Sequence, residues 1–404
     1  MQALPLPDSL IKLIARIETA GFTAYAVGGC VRDALLGRPI HDWDVTTSAT
    51  PEQIKAIFAD CRTIDTGIQH GTVTVLFMGD SYEITVFRVD GSYTDGRHPD
   101  AVRFSSSLKE DLARRDFTVN AMAYSPAEGI VDLFSGREDI KNQIIRAVGD
   151  PTMRFTEDAL RILRALRFSA TLGFAIEPLT AKAMTALAHR LSLVSGERIM
   201  VEISKALLGK NASPVFSSFY TVASSAWHDL KDEARYAQNV ALLDRLPFDL
   251  EIRLAALFLG IEQAKEPKFF LSLRFSRDIA RGASNLIKEA ERSLPLTDYE
   301  AKILLGTYGI AFCEKLVSLW MAIYPDQKDS LAATLSRMSA WHSESTCVSV
   351  AQLAVKGKDL EALGIQGVHL GNWLKQLLEE VMQGHLLNEK EQLIAYVQSA
   401  LSKE

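Results

Sequence analysis

Strand-type sequence is confined to the first part of this chain, and that division limits the fold more than any other feature. Ala24–Val27 is a short apolar run ending in Gly28-Gly29, and residues 42–46 read as a polar strand. Residues 71–78 (GTVTVLFM) and 82–88 (YEITVFR) carry the β-branched and aromatic side chains that suit a pleated surface. Short helical stretches lie between them, at 31–37 and 51–59. Thr50 reads as the N-cap of the second, with Pro51 at its first helical position. From Asp150 onward apolar residues recur at helical spacing instead, as in 157–172, 196–208 and 373–382. The pattern predicts an α/β head at 1–145 and an all-α remainder, without a strict internal repeat. Within the helical part, boundaries near 210 and 335 give a neck (146–210), a body (211–335) and a tail (336–404). The chain's 404 residues suffice for two to four domains.

Composition excludes several classes. With 48% hydrophobic and 23% charged residues the chain has ordinary globular make-up. It contains no apolar run of eighteen residues, so no spanning helix is expected. The start, MQALPLPDSLIKLIARIE, reads as a short leader and an amphipathic helix, without the charged start and small-residue cleavage site of a signal peptide. Cys30, Cys61, Cys313 and Cys347 are scattered, with no C-x-x-C pair. They support neither a zinc site nor a disulfide framework and fit a reducing, cytoplasmic location. The formal net charge of -6 means that a polyanionic partner needs a local basic face.

Two features carry chemistry. In Asp42-Trp43-Asp44, strand geometry would set Asp42 and Asp44 side by side and turn Trp43 into packing. Adjacent carboxylates repel unless a cation neutralises them, and Mg²⁺ takes hard oxygen ligands from one or two carboxylates plus substrate phosphates. Alone, the pair could be a solvated acidic turn. A dozen residues upstream, however, Gly28-Gly29-Cys30-Val31-Arg32-Asp33 joins a strand to a helix. Glycines there let backbone N–H groups approach phosphate oxygens, and Arg32 adds a donor fork. The second feature is a run of arginines: Arg146, Arg154, Arg161, Arg164 and Arg167. It supplies the local basic face, although a solvated helix face paired through Glu157 and Asp158 would look the same.

These motifs together resemble the class II CCA-adding enzyme and bacterial poly(A) polymerase family, within the polymerase-β-like nucleotidyltransferase superfamily. The resemblance runs in order along nearly the whole chain. Its opening signature is GGCVRDALLGRPIHDWDVTTSATPEQI, and Arg114 to Ala123 (RRDFTVNAMA) resembles the second motif. Asp132-Leu133-Phe134-Ser135-Gly136 resembles the turn into the neck, Glu157-Asp158-Ala159-Leu160-Arg161 the base-reading motif, and Leu363-Gly364-Ile365-Gln366-Gly367 the tail. The resemblance implies that Asp42 and Asp44 are catalytic and hold Mg²⁺, and that Gly29, Arg32 and Arg115 bind phosphates or sugar. It implies that Asp158 and Arg161 read the incoming base, that Arg164 and Arg167 support nucleotide binding, and that the partners are CTP, ATP and the tRNA 3′ end.

Base reading by such a pair is chemically sound. Cytosine and adenine each offer an amino donor beside a ring-nitrogen acceptor. A carboxylate accepts from the first while a guanidinium donates to the second. Uracil and guanine present the reverse order and would leave buried groups unpaired. Full CCA addition is thus the expected activity. Addition of CC or of A alone is an alternative. So are poly(A) synthesis, for which the basic C-terminal extension is missing, and RNA binding without catalysis. Glu83 reads equally as a third active-site carboxylate or an exposed strand residue, and Asp116 and Asn120 as motif or structural positions. Residues 90–103 (DGSYTDGRHPDAVR) resemble the loop implicated in the switch from C to A addition. Lys356 and Lys358, with Gly364, Gly367 and Gly371, could grip a tRNA backbone, and His228-Asp229 reads as structural.

Overall fold

The β-branched runs form the sheet that their pattern predicts. In the computed structural model, which describes residues 4–40, 42–68, 71–90 and 102–402, the chain divides into two compact units, Met1–Ala237 and Gln238–Glu404. The first unit begins with α1 (Asp8–Thr19). Its Leu10, Leu13, Ile14 and Ile17 make one apolar face and are fully buried in the core beneath the sheet. Next come β1 (Ala24–Val27), α2 (Gly29–Leu35), β2 (Asp44–Thr47), α3 (Pro51–Ile57) and β3 (Arg62–Gly67). Thr50 caps α3 as expected: its hydroxyl accepts from Gln53 N, and the Gln53 side chain accepts in return from Thr50 N. The hairpin of β4 (Thr72–Phe77) and β5 (Asp80–Val86) turns at Met78-Gly79, both at positive φ as a two-residue hairpin turn of type I′ requires.

The remaining head elements are β6 (Arg88–Asp90), β7 (Val102–Phe104), α4 (Leu108–Ala113), β8 (Met122–Ser125), β9 (Gly129–Asp132) and α5 (Gly136–Asn142). Seven strands make one sheet in the order β3-β4-β5-β2-β1-β8-β9, parallel only between β2 and β5. This order sets up the site. Because β1 runs against β2, the end of β1 at Val27 meets the start of β2 at Asp44. Because β5 runs with β2, Glu83 stands beside Asp44. Because β8 runs against β1, Met122 returns to the same edge, where its carbonyl accepts from Gly28 N.

After a short parallel pair of β10 (Ile144–Ile145) and β11 (Ala175–Ile176), the unit is helical: α6 (Pro151–Glu157), α7 (Leu160–Leu172), α8 (Pro178–Leu187) and α9 (Gly196–Leu207). A continuous helix over 157–172 is not what forms. Asp158 is extended, at φ −139° and ψ 106°, and its Oδ1 accepts from Leu160 N at 3.0 Å, so the helix restarts after it. The second unit contains no strand among its described residues. Its longer helices include Arg277–Ala290, Ile310–Ile323, Lys328–Ser343 and Val368–Gln383. Trp320 is fully buried there, and its indole donates to the Ala290 carbonyl at 3.1 Å. Among the described residues no helix is long and apolar enough to cross a membrane.

Candidate active site

The edge where β1 ends and β2 begins gathers the expected residues. Gly28 sits at φ 85° and ψ −133°, which only glycine adopts freely, and a Cβ there would lie 3.0 Å from Arg115 Nη1. Arg115 therefore lies directly over the turn. Its Nη2 donates to Asp111 Oδ2 at 3.1 Å, while its buried Nε has no hydrogen-bond partner. Gly29 is the first residue of α2, and a Cβ on it would make only an ordinary contact, 3.5 Å from Arg32 Nη2. Nothing in the surrounding protein requires glycine at 29, so its absent side chain leaves the backbone open to a ligand. Arg32 is buried: it forks onto Asp33 at 3.0 and 2.8 Å and donates to Asn120 Oδ1.

Asp42 and Asp44 are both exposed, and Trp43 packs against the core as the alternation predicts. The regular strand starts at Asp44, so Asp42 precedes it rather than lying within it. Desolvation raises the Asp44 carboxyl above its ordinary value; Arg115 opposes this, while Glu83 and Asp42 push it further up. Among the described residues no hydrogen bond or ion pair from the protein engages either carboxylate. Nor is there a group of three or more His, Cys, Asp or Glu able to hold a metal by itself. An excess of negative charge on two hard-oxygen side chains is a fit for a divalent cation whose remaining ligands come from substrate and water. His228 is exposed, with only a 3.4 Å contact to Ser224 O, and stands outside any such group.

Arg161, Arg164 and Arg167 of the neck lie near this edge, and none of the three is simply solvated. Arg161 is 9% exposed and donates to Glu157 Oε2 at 2.7 Å and to the Arg114 carbonyl at 3.0 Å. Asp158 does not pair with Arg161; its Oδ2 accepts from Arg198 at 2.9 Å. Arg164 binds Asp116 at 2.6 Å, and Arg167 approaches Glu202 Oε2 at 2.9 Å. Although burial pushes the Asp116 carboxyl up, Arg164 and Asn120 hold it down at about 2. Arg32, Arg164 and Arg167 all stand around the Phe168 ring, with guanidinium carbons 5.0, 5.4 and 4.3 Å from its centre. Beside this ring a cavity of about 440 Å³ opens, with Arg38 and Lys205 on its walls. Arginines do gather here, with Arg32, Arg161, Arg164 and Arg167 each beside a carboxylate. Residues 91–101, most of the segment expected to form the switching loop, lie outside the described residues.

Sequence reasoning missed Asp111, Phe168, Arg198 and Glu202. Asp111 precedes Arg115 by four residues, a helical spacing that foreshadows the pair. Arg198 and Glu202 meet their partners through tertiary packing of α9 on α7, and Phe168 meets Arg32 through packing of α7 on α2; neither contact leaves a local signature.

A glycine turn after β1, with carboxylates at the start of the neighbouring strand in a sheet of this order, defines a nucleotidyltransferase head. Residues 24–146 match the Poly A polymerase head domain family, and residues 173–220 match a family described as a probable RNA and SrmB-binding site of polymerase A. CCA-adding enzymes of Leuconostoc citreum (strain KM20) and Enterococcus faecalis (strain ATCC 700802 / V583) are each 38% identical to the chain. The first alignment covers 100% of both chains, the second 97% of this chain and 95% of the relative. The chain belongs to the CCA-adding enzyme family. Among solved structures, the Bacillus stearothermophilus CCA-adding enzyme in complex with CTP superposes with a TM-score of 0.80 at 33% identity, covering 98% of this chain and 97% of that one. The Thermotoga maritima CCA-adding enzyme complexed with tRNA shares the fold, with a TM-score of 0.71 at 20% identity over 98% of this chain and 96% of that one. Nucleotidyltransferases of this family generally use a divalent metal.

Proposed function

We propose that the chain adds C, C and A in turn to the 3′ end of tRNA, using CTP and ATP and no nucleic-acid template. The terminal 3′ oxygen attacks the α-phosphorus, the bond to the β-phosphate bridging oxygen breaks, and pyrophosphate leaves. One observation carries this reading: the exposed Asp42/Asp44 edge and the Asp158/Arg161 helix start belong to one unit, tied together by the Arg161–Arg114 and Arg164–Asp116 bonds. Full-length relatives with that activity in their names support it.

Asp42 and Asp44 would hold Mg²⁺, which when bound polarises the attacking hydroxyl and offsets the charge of the leaving pyrophosphate. The backbone at Gly29, with Arg32 and Arg115, seats the triphosphate. Asp158 accepts from the exocyclic amino group, Arg161 donates to the ring nitrogen, and Arg164 and Arg167 complete the nucleotide site. Reading C or A through Asp158 means that its Oδ2 shares or exchanges Arg198 for the base. We assign the head to 1–145, neck to 146–210, body to 211–335 and tail to 336–404; the end of the head-family match at residue 146 supports the first boundary.

The test is to sequence the products made on tRNA lacking its last three nucleotides, with all four nucleoside triphosphates present. The expected ends are CCA and its intermediates C and CC. Ends that stop at CC, primers extended only when CC is already present, or runs of A would each replace this reading by the corresponding alternative.

A further inference from the structure

Helix α9 lies along α7 and presents charges to it one turn apart. Arg198 meets Asp158, and four residues on, Glu202 meets Arg167 and Arg164. Glu202 is 6% exposed, and its neighbours on the same helix, Ile199, Ile203 and Ala206, are buried. A carboxylate in such a place is costly unless it is closely paired. Its Oε2 lies 2.9 Å from Arg167 Nε, yet neither atom is aligned for a hydrogen bond. The carboxylate therefore acts here as a charge, not as a fixed acceptor.

The charge is needed because three guanidiniums share one ring. Around Phe168, Arg32 has Asp33 and Arg164 has Asp116, while among the described residues Glu202 is the one carboxylate within 4 Å of Arg167. Burial lowers the Arg167 guanidinium below its ordinary value, Arg164 and Arg32 add to that, and Glu202 opposes it. Without Glu202, Arg167 would face two like charges with the aromatic face and the more distant Asp116 to hold it.

We propose that Glu202 is a positioning residue that holds Arg167 in the orientation that receives the nucleotide, without touching the nucleotide itself. The proposal rests on the reading of Arg167 as a nucleotide contact. Because it concerns binding, its readout can be separated from catalysis: the dissociation constant for CTP, measured by equilibrium dialysis on the full-length chain without tRNA.

Glu202→Gln keeps the size and removes the charge, and should weaken CTP about tenfold. Arg167→Ala should weaken it at least as much. The double variant should bind no worse than Arg167→Ala alone, because a residue acting through Arg167 has nothing left to position. Glu202→Asp, which keeps the charge on a shorter arm, should recover part of the loss. If Glu202→Gln does not fold, Glu202→Asp carries the same comparison against the Arg167→Ala background. Losses that multiply in the double variant, or a Glu202→Gln protein that binds like wild type while Arg167→Ala does not, overturn the proposal. Wild-type CTP binding by Arg167→Ala would remove Arg167 from the nucleotide site, and the positioning role with it.

Discussion

The two halves of the candidate active site treat charge in opposite ways. At the sheet edge, Asp42 and Asp44 are exposed, and no protein cation closes on their carboxylates among the described residues. Along α7, nearly every charge is matched: Arg161 with Glu157, Arg164 with Asp116, Arg167 with Glu202, and Asp158 with Arg198. The difference fits the work proposed for each. A metal-binding edge has to keep oxygen lone pairs free, so its negative charge is left for ligands to offset. A surface that reads a base has to arrive in one geometry, so its side chains are fixed beforehand by neighbours, at the cost of burying ions. The open half should therefore respond to mutation in rate, and the closed half in stability and choice.

Removing the open half gives the largest effect. Asp42→Ala or Asp44→Ala should lower incorporation of both CMP and AMP by about a thousandfold or more, since positioned metal charge contributes several kcal/mol to such transition states. The melting temperature should stay within a few degrees of wild type, because neither side chain is buried or paired. Rapid turnover by either variant, in a radiolabelled-nucleotide assay, would take the pair out of the mechanism.

The closed half should show the reverse order of effects when its counter-charge is removed. Asp116 is buried and holds Arg164 at 2.6 Å. Asp116→Asn leaves that guanidinium with Glu202, at 4.0 Å, as its one carboxylate within that distance among the described residues, and should destabilise the first unit by about 3 kcal/mol, toward the lower end for a broken buried pair. The sign of the pH dependence follows from the depressed carboxyl. Its value in the folded chain is about 2, against 3.8 ordinarily, so its stabilisation is fully present above about pH 4 and is lost as pH falls toward 2. Asp111, also held low by Arg115 and Arg114 against its burial, adds to the loss in the same direction. Denaturant titrations at pH 5 and pH 3 should show the wild type losing more stability than Asp116→Asn. Equal losses in both proteins would mean that Asp116 titrates normally and that Arg164 is held by something else.

The open half was far more legible in the sequence than the closed half, and for a physical reason. Gly28, Asp42 and Asp44 lie within seventeen residues, and the alternation of a strand and the needs of a tight turn are local rules. Even there the register was beyond reach: that Glu83 stands beside Asp44 depends on β2 pairing in parallel with β5, which no short window encodes. On α7 the residue types were readable, but the partners were not. Arg198 and Glu202 lie about forty residues from those they hold, and Phe168 reads locally as one more core aromatic. The break at Asp158 was missed because the apolar period runs through it unbroken, while the Asx turn that restarts the helix depends on one side-chain hydrogen bond.

That break gives the sharpest test of the comparison, and the effect is the smallest in size. Asp158 has two ties in the free chain: Oδ1 accepts from Leu160 N at 3.0 Å, and Oδ2 accepts from Arg198 at 2.9 Å. If it also accepts from the exocyclic amino group, discrimination against UTP and GTP rests on it together with Arg161. Asp158→Ala removes the acceptor that clashes with uracil O4. A hydrogen bond to a charged partner contributes roughly 1.5–3 kcal/mol, so the preference for C over U should fall about ten- to a hundredfold. Correct incorporation should fall as well, because the amino group loses its partner and α7 loses a cap of about 1 kcal/mol. Asp158→Asn separates the two losses. Its side-chain oxygen can still accept from Leu160 N, while its amide group can donate to uracil O4 but cannot accept a cytosine amino group on that side. It should therefore shift the preference toward U more than Asp158→Ala does, with less loss of stability. The measurement is the ratio of UMP to CMP incorporated on a tRNA primer, with thermal melts alongside. If both variants are slower yet keep the full preference for C and A, then Asp158 serves only Arg198 and the helix start, and the closed half of the site does not read the base.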